Sequence, residues 1–204
     1  MAATAAIYLA HLNPMTKAHG SIISSLQQRG YHVYVFPVRF VKDGREINTR
    51  SFPFSYELRR EMVQSVAGDS VTVLPQYTFV APYVKYMPPL LSSRSWELRN
   101  QIVGQIKEDI FVSYTGDNVE RLMLKAYRLR PLKASRREIS ASSVRELIYR
   151  QVLEGGNAEQ WYDKVPAPVV EIIKKNWDVV EKFAMMQEST MRVMGMKFPK
   201  EGYR

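Results

Sequence analysis

The order of apolar segments predicts an α/β fold: a doubly wound, mainly parallel sheet of five strands followed by C-terminal helices. Short apolar runs rich in β-branched and aromatic residues alternate with segments whose apolar residues recur at helical spacing. The 204 residues, 46% hydrophobic and 24% charged, match the length and composition of one globular domain. Ligands of such sheets bind outside the carboxyl ends of the strands.

The first half of the chain predicts three strands separated by two helices. In chain order these elements cover residues 5–10, 17–29, 32–38, 56–67 and 71–74. The first strand is an apolar run typical of burial on both faces, and it stops at the breaker Asn13-Pro14. Ser55 is the expected N-cap of the second helix. Residues 41–55 have no period and predict a long, mobile loop.

The second half predicts two strands and four helices. In chain order they are a helix over 96–107, a strand over 110–114, a helix over 119–128, a short strand over 129–132, a helix from about 142 to 153, and a helix over 169–183. Ser143 and Glu146 have capping-box spacing, which would place Arg145 in a first helical turn. We expect one domain over 1–184 and a Met-rich tail over 185–204 whose methionines pack on helices.

Composition excludes several classes of protein. The chain has no cysteine, which removes disulfides, thiolate metal sites and cysteine nucleophiles. It has neither an apolar run that could cross a bilayer nor a signal peptide, so we expect a cytoplasmic protein. Glycine-rich dinucleotide and P-loop motifs, zinc-protease motifs and the serine-hydrolase elbow are also missing.

The charge distribution predicts an anionic partner. Formal net charge is +9, and residues 119–150 hold nine basic and three acidic residues, so most of the excess lies in one segment. Nucleic acid, a membrane surface or a phosphorylated small molecule would all suit it, and a solvated helix face is the bland alternative. His19 lies at an expected helix start, where free N–H groups and the helix dipole favour phosphate. Alternatively, His19 is a cap-region histidine with no ligand.

Two segments resemble the signatures of the nucleotidylyltransferase superfamily. Residues 10–19, Ala-His-Leu-Asn-Pro-Met-Thr-Lys-Ala-His, resemble its first signature, G-x-F-x-P-x-(H/T)-x-G-H. Residues 139–145, Ile-Ser-Ala-Ser-Ser-Val-Arg, resemble its second, I-S-x-(S/T)-x-(I/V)-R. Residues 53–63 and 161–173 are similar to segments of the archaeal-type nicotinamide mononucleotide adenylyltransferases. The resemblance implies a Rossmann-like nucleotidylyltransferase fold over most of residues 5–175, with 94–107 as extra length.

The resemblance also implies an activity and a set of site residues. The AMP moiety of ATP would be joined to nicotinamide mononucleotide, releasing pyrophosphate and forming NAD, with Mg²⁺ bound through the ATP phosphates. Catalytic roles fall to His19, Arg145 and Thr16. Nucleotide contacts fall to Asn13, Lys17, Arg136, Ser140, Ser142, Asp117 and Asn118. Arg59 would bind the acceptor's phosphate, and no residue would bind a metal directly.

The chain departs from the first signature at five positions and leaves alternatives open. They are Ala10 for the opening glycine, His11 for the arginine usual beside it, Leu12 for the aromatic residue, Thr16 for the first histidine and Ala18 for the later glycine. Threonine is familiar from the phosphopantetheine adenylyltransferase branch, so another acceptor, as in that branch or in a cytidylyltransferase, is one alternative. A catalytically impaired relative and a basic nucleic-acid-binding module without catalysis are two others. The favoured interpretation expects ATP and a phosphorylated small-molecule acceptor as partners, no nucleic acid, no membrane, and a homo-oligomer.

Overall fold

The computed structural model describes residues 4–115, 118–132, 140–155 and 159–204, without the side chains of 118, 119 and 159. Its elements in chain order are β1 (Thr4–Ala10), α1 (Lys17–Gln28), β2 (Tyr31–Pro37), β3 (Arg39–Lys42), β4 (Arg45–Glu46), α2 (Tyr56–Ala67), β5 (Val71–Val73), β6 (Thr78–Val80), α3 (Ser93–Val103), β7 (Ile110–Tyr114), α4 (Asn118–Ala126), β8 (Pro131–Leu132), α5 (Ala141–Glu154), α6 (Glu159–Tyr162), α7 (Ala167–Lys175), α8 (Trp177–Met185), β9 (Thr190–Val193) and β10 (Met196–Pro199). Short 3-10 helices cover Gly68–Ser70 and Tyr83–Tyr86.

The central sheet has five strands in the order β5-β2-β1-β7-β8 and is parallel throughout, which confirms the predicted fold class. From β1 the chain first builds outward through β2 to β5, and it then crosses to β7 on the other side. The strand order therefore reverses between β1 and β7. In sheets of this kind a crevice opens at the carboxyl ends of those two strands, where ligands bind.

Both faces of the sheet are covered because alternate residues of β1 enter different cores. Ala6 and Tyr8 belong to a core shared with α1, α2, α5, α7 and α8. Ala5 and Ile7 belong to a second core shared with α3, α4, β3, β6 and β10. A strand buried on both faces is apolar at every position, which is the pattern that predicts β1.

The prediction of a loop over residues 41–55 is wrong for the first residues of that range. Strands β3 and β4 form an antiparallel hairpin, and β3 also pairs in parallel with β6 in a second, three-stranded sheet. The hairpin turn is Asp43-Gly44, with φ of 50° and 76°. Asp-Gly is the pair that a two-residue turn of this type favours, so a recognisable hairpin signal was present in the sequence.

The C-terminal part also differs from the prediction. The helix predicted over 169–183 is two helices, because the backbone of Asn176 (φ −114°, ψ 38°) leaves the helical region. The residues after α8 form the antiparallel hairpin β9–β10, which the sequence did not predict, and Met191 and Met196 pack against the second core. Phe198 of β10 is fully buried and contacts Phe40 and Phe79. Within the described residues, no helix has the length and apolar character that a bilayer crossing requires.

Candidate active site

The turn that follows β1 is held by the side chain of Asn13. Its Nδ2 donates to the carbonyl oxygen of Phe54 (2.9 Å), and its Oδ1 accepts from the Phe54 N–H (3.1 Å). Asn13 is fully buried, so each half of its amide must be paired inside the protein. The amide predicted to bind nucleotide thus joins the turn to the residues before α2.

Thr16 and His19 form a reciprocal cap at the start of α1. Thr16 is the N-cap, its Oγ1 accepts from the His19 N–H (3.5 Å), and its own N–H donates to His19 Nδ1 (3.0 Å). Burial lowers the pKa of His19 to about 4, so the ring is neutral near pH 7. Since Nδ1 accepts a hydrogen bond, Nε2 carries the ring proton. The cap therefore leaves an N–H donor on Nε2 at a helix N-terminus.

Arg145 reaches the same turn from α5. Its guanidinium donates to the carbonyl oxygen of Asn13 through Nη1 and to Ser142 Oγ through Nη2 (3.1 Å). Arg145 is 7% exposed, and burial lowers the pKa of its guanidinium. Asn13 and Arg145 are 132 residues apart in sequence, yet they are in contact. The two signature segments therefore meet at one turn.

The start of α5 corrects one detail of the sequence analysis. Ser140, and not Ser143, is the N-cap, and its Oγ accepts from the Ser143 N–H (3.1 Å). Arg145 consequently lies in the second turn of the helix rather than in the first. Ser143 has the better capping-box spacing, but Ser140 has the extended backbone that an N-cap needs.

His11 lies between an aromatic ring and several cations. Its imidazole stacks on Phe52, with centroids 4.6 Å apart and planes 8° from parallel. Burial, followed by the positive charges of Arg59, Arg145 and Lys197, lowers the pKa of His11 to about 3. Where the superfamily signature usually has an arginine, this chain has a neutral ring surrounded by cations from other elements.

Lys197 is the basic residue of this region that the sequence analysis missed. It lies on β10, and its Nζ donates to Ser51 Oγ (3.0 Å) beside Phe52. The two partners are 146 residues apart. No local pattern in the sequence predicts this contact, because the contact forms only when the C-terminal hairpin packs against the second core.

Arg59 has an internal position. Its guanidinium donates to the carbonyl oxygens of His11 (2.9 Å) and Val38 (2.6 Å) and forms an ion pair with Glu46 (2.9 Å). The side chain is only 3% exposed. The residue predicted to bind the acceptor's phosphate thus has its donors directed at the carboxyl ends of β1 and β2.

The other predicted residues vary in placement. Lys17 is exposed on the first turn of α1, and its N–H donates to the carbonyl oxygen of Lys164 (2.9 Å). Ser140 and Ser142 are exposed at the start of α5. Arg136 and Asp117 lie outside the described residues, as does the side chain of Asn118. Across the described part of the chain, no three His, Asp or Glu side chains form a group able to hold a metal ion.

Solved structures with the same fold are nucleotide adenylyltransferases and related proteins. One is a bifunctional NMN adenylyltransferase/ADP-ribose pyrophosphatase from Francisella tularensis in complex with AMP and a Mn ion, at 16% identity and TM-score 0.64 over 90% of this chain. The chain spans about half (52%) of that protein's length. Another, from Vibrio parahaemolyticus and assigned as a nicotinate-nucleotide adenylyltransferase, has 12% identity and TM-score 0.54, with 88% of this chain and 96% of that one covered.

A third similar structure is the NadR protein in complex with NR, at 18% identity and TM-score 0.51, covering 71% of this chain and 42% of that one. No protein-family model matches the sequence, and no curated protein matches it. The chain therefore has the nucleotidylyltransferase fold, as the sequence resemblance predicts, at identities that define the fold alone.

Proposed function

We propose that this protein is an adenylyltransferase that joins the AMP moiety of ATP to nicotinamide mononucleotide. The observation that carries the proposal is the contact between Arg145 and the carbonyl oxygen of Asn13. It brings a buried guanidinium to the turn that also carries the neutral His19 at the start of α1. A helix N-terminus, a neutral N–H donor and a fixed cation together suit a triphosphate.

The chemistry needs charge and position more than acids or bases. An oxygen of the acceptor's phosphate attacks the α-phosphorus of ATP, a new P–O bond forms, and the bond from the α-phosphorus to the oxygen bridging the β-phosphorus breaks. The leaving group is pyrophosphate, and both products keep their phosphate charges. Such a transition state is stabilised by preorganised donors and cations directed at its oxygens.

His19 and Arg145 would act on different phosphates. The Nε2–H of His19 would donate to an α-phosphate oxygen, in an orientation set by the hydrogen bond that Thr16 donates to Nδ1. Thr16 is fully buried, so it supports His19 as a cap residue and acts as a positioning group. The guanidinium of Arg145 would neutralise the β- and γ-phosphates, with Ser140, Ser142 and Lys17 as further donors around it.

The residues present suit a metal ion bound to phosphate rather than a bare metal ion. The charges that lower the pKa of His11 are those of Arg59, Arg145 and Lys197. Arg59 is paired with Glu46, whereas Arg145 and Lys197 attract phosphate oxygens and repel an unshielded divalent ion. When bound, Mg²⁺ would supply charge neutralisation on the ATP phosphates. Arg145, Lys17 and Ser142 would hold those phosphates in place.

The acceptor is tested by a panel of substrates. Purified protein is mixed with each nucleoside triphosphate and each acceptor in turn, namely nicotinamide mononucleotide, nicotinate mononucleotide, phosphopantetheine and a phosphorylated alcohol, and pyrophosphate release is measured with and without Mg²⁺. ATP with nicotinamide mononucleotide is expected to be the productive pair. Preference for CTP over ATP would refute the assignment of the donor nucleotide, and phosphopantetheine as the productive acceptor would refute the acceptor assignment. Inactivity with every pair would refute the enzyme assignment.

A further inference from the structure

A large basic cavity lies on the opposite side of the sheet from the candidate active site. Its volume is about 1190 Å³, and its walls come from α3, α4 and the starts of β7 and β8. No acidic residue lines it among the described residues. Five cations do, and these are Arg99, Arg121, Lys125, Arg128 and Arg130.

Strand register separates the cavity from the active site. Phe111, which lines the cavity, pairs with Ala5 near the amino end of β1. The turn that carries Asn13 begins after Ala10, five residues farther along the same strand, about 16 Å at the rise of a β-strand. Phe111 also packs with the second core, whereas Val144 of α5 belongs to the first. The two sites are therefore separate.

The cavity accounts for charge that the active site does not use. Of the nine basic residues in 119–150, four line the cavity, whereas only Arg145 has a described contact at the active-site turn. None of the five lining cations forms a salt bridge with any carboxylate in the described ranges. Like charges that share one cavity repel, and an anionic ligand relieves that repulsion.

The backbone at the end of α4 holds two of these arginines in unusual conformations. Arg128 and Arg130 have φ of 57° and 49°, which is the left-handed region that glycine and asparagine favour. Leu129 between them is 2% exposed, so the segment is anchored by its apolar residue. Strained backbone of this kind persists where the surroundings enforce it and is concentrated at functional sites.

We propose that this cavity binds a single-stranded nucleic acid through its phosphate backbone. Its volume exceeds that of typical small-molecule pockets, so it suits an extended polyanion better than one nucleotide. Aromatic rings adjoin its cations: Phe111 lines the cavity, with the guanidinium of Arg130 5.8 Å from its centroid, and Arg99 donates to the carbonyl oxygen of Tyr127, whose ring packs against Trp96. Basic grooves with interleaved aromatic rings bind single strands with little sequence preference.

The proposal departs from the sequence-based expectation of no nucleic-acid partner. In that expectation the phosphates of ATP and of the acceptor were the anionic partner of the basic segment 119–150. Counting charges along the sequence does not distinguish residues that lie on different sides of the sheet. The structure places the cavity cations and Arg145 in separate sites.

The test is binding of a fluorescently labelled single-stranded 12-mer, followed by anisotropy at several salt concentrations. The variant Arg121→Gln/Lys125→Gln/Arg128→Asn removes three cations and keeps a residue tolerated at positive φ. Each lost phosphate contact lowers the log–log salt slope by about 0.7 for single strands, so a fall of about 2 is expected. The matched control, with the same loss of charge on the other face, is Lys174→Gln/Lys175→Gln/Lys182→Gln.

The control should bind like the wild type, and the cavity variant should keep its adenylyltransferase activity. Equal loss of binding in both variants, displacement of the 12-mer by ATP, or tighter binding of a duplex or of inorganic polyphosphate would overturn the proposal. If the cavity variant does not fold, the wild type is crosslinked to a 4-thiouridine 12-mer and the peptides are mapped. Crosslinks within 96–132 support the cavity, and crosslinks within 10–20 or 140–155 overturn it.

Discussion

Arg145→Lys is the substitution that discriminates most sharply between a phosphate clamp and a structural arginine. It keeps the positive charge but replaces a planar group with several donors by a single ammonium. In the structure the guanidinium binds two partners at once, the carbonyl oxygen of Asn13 and Ser142 Oγ. A lysine has a single nitrogen in place of the separate nitrogens of the guanidinium. It can keep one of these two partners while it also contacts a ligand, but it cannot keep both partners.

The magnitude follows from those contacts. One buried hydrogen bond left unmade costs about 1–3 kcal/mol, so unfolding should require that much less free energy in the variant. If the guanidinium also stabilises the transition state, loss of a preorganised donor costs about 10²–10³-fold in kcat, by analogy with single oxyanion donors. The two losses are measured independently, by urea unfolding and by pyrophosphate release.

Arg150→Lys is the matched control because it lies on the same helix. Its side chain is 59% exposed and pairs loosely with Glu154 (3.9 Å), so neither stability nor activity should change. A folded Arg145→Lys protein with wild-type kcat/KM would refute the phosphate role and leave only the structural one. A loss of activity no larger than that of Arg150→Lys would do the same.

Three further predictions concern the same site. His19→Ala should lower kcat about 10²–10³-fold while changing ATP affinity far less, and an unchanged kcat in a folded variant would contradict the role of His19. Lys197→Gln should raise the KM for the acceptor more than that for ATP, with the exposed Lys200→Gln on the same segment as control; equal shifts for both substrates would contradict an acceptor contact. The pKa values of His19 and His11 are lowered to about 4 and 3 in the folded protein, compared with about 6.5 in the unfolded chain. Their contribution to the free energy of unfolding is therefore fully present above about pH 6.5 and is lost as the pH falls below it. The Tm should fall between pH 7.5 and 5, and less so in His11→Gln/His19→Gln; identical pH profiles would contradict it.

Elements with strong local signals were predictable from the sequence. Helix α2 begins and ends at the predicted residues, because Ser55 caps its start and Gly68, at φ 60°, ends it. Strand β7 also has its predicted bounds, since an apolar run between polar turns is unambiguous. The hairpin β9–β10 was not predictable in this way, because its four-residue strands are stabilised by the burial of Phe198 in a distant core.

The residues of the candidate site also differ in whether a local sequence signal predicts them. His19 and Arg145 were predicted from two motifs, and the contact at Asn13 brings those motifs together. The roles of Asn13 as an amide bridge and of Thr16 as a cap depend on side-chain geometry within the turn, which residue type alone does not determine. Lys197 needs the C-terminal hairpin, so sequence reasoning could not place it near His11.

The position of Arg59 decides which cation is available to the acceptor. To reach a phosphate, its guanidinium would have to leave Glu46 and the carbonyl oxygens of His11 and Val38. Breaking a buried ion pair in this way costs about 3–5 kcal/mol, which exceeds what one new phosphate contact returns in a wet site. Lys197 is partly exposed, and its hydrogen bond is to the hydroxyl of Ser51, which in turn donates to the carboxylate of Glu188. Its positive charge helps to lower the pKa of Glu188, so a move toward phosphate gives up this attraction but breaks no buried ion pair. Arg59 therefore holds the ends of β1 and β2 in place, and we predict that Lys197, rather than Arg59, is the cation that turns toward an acceptor's phosphate.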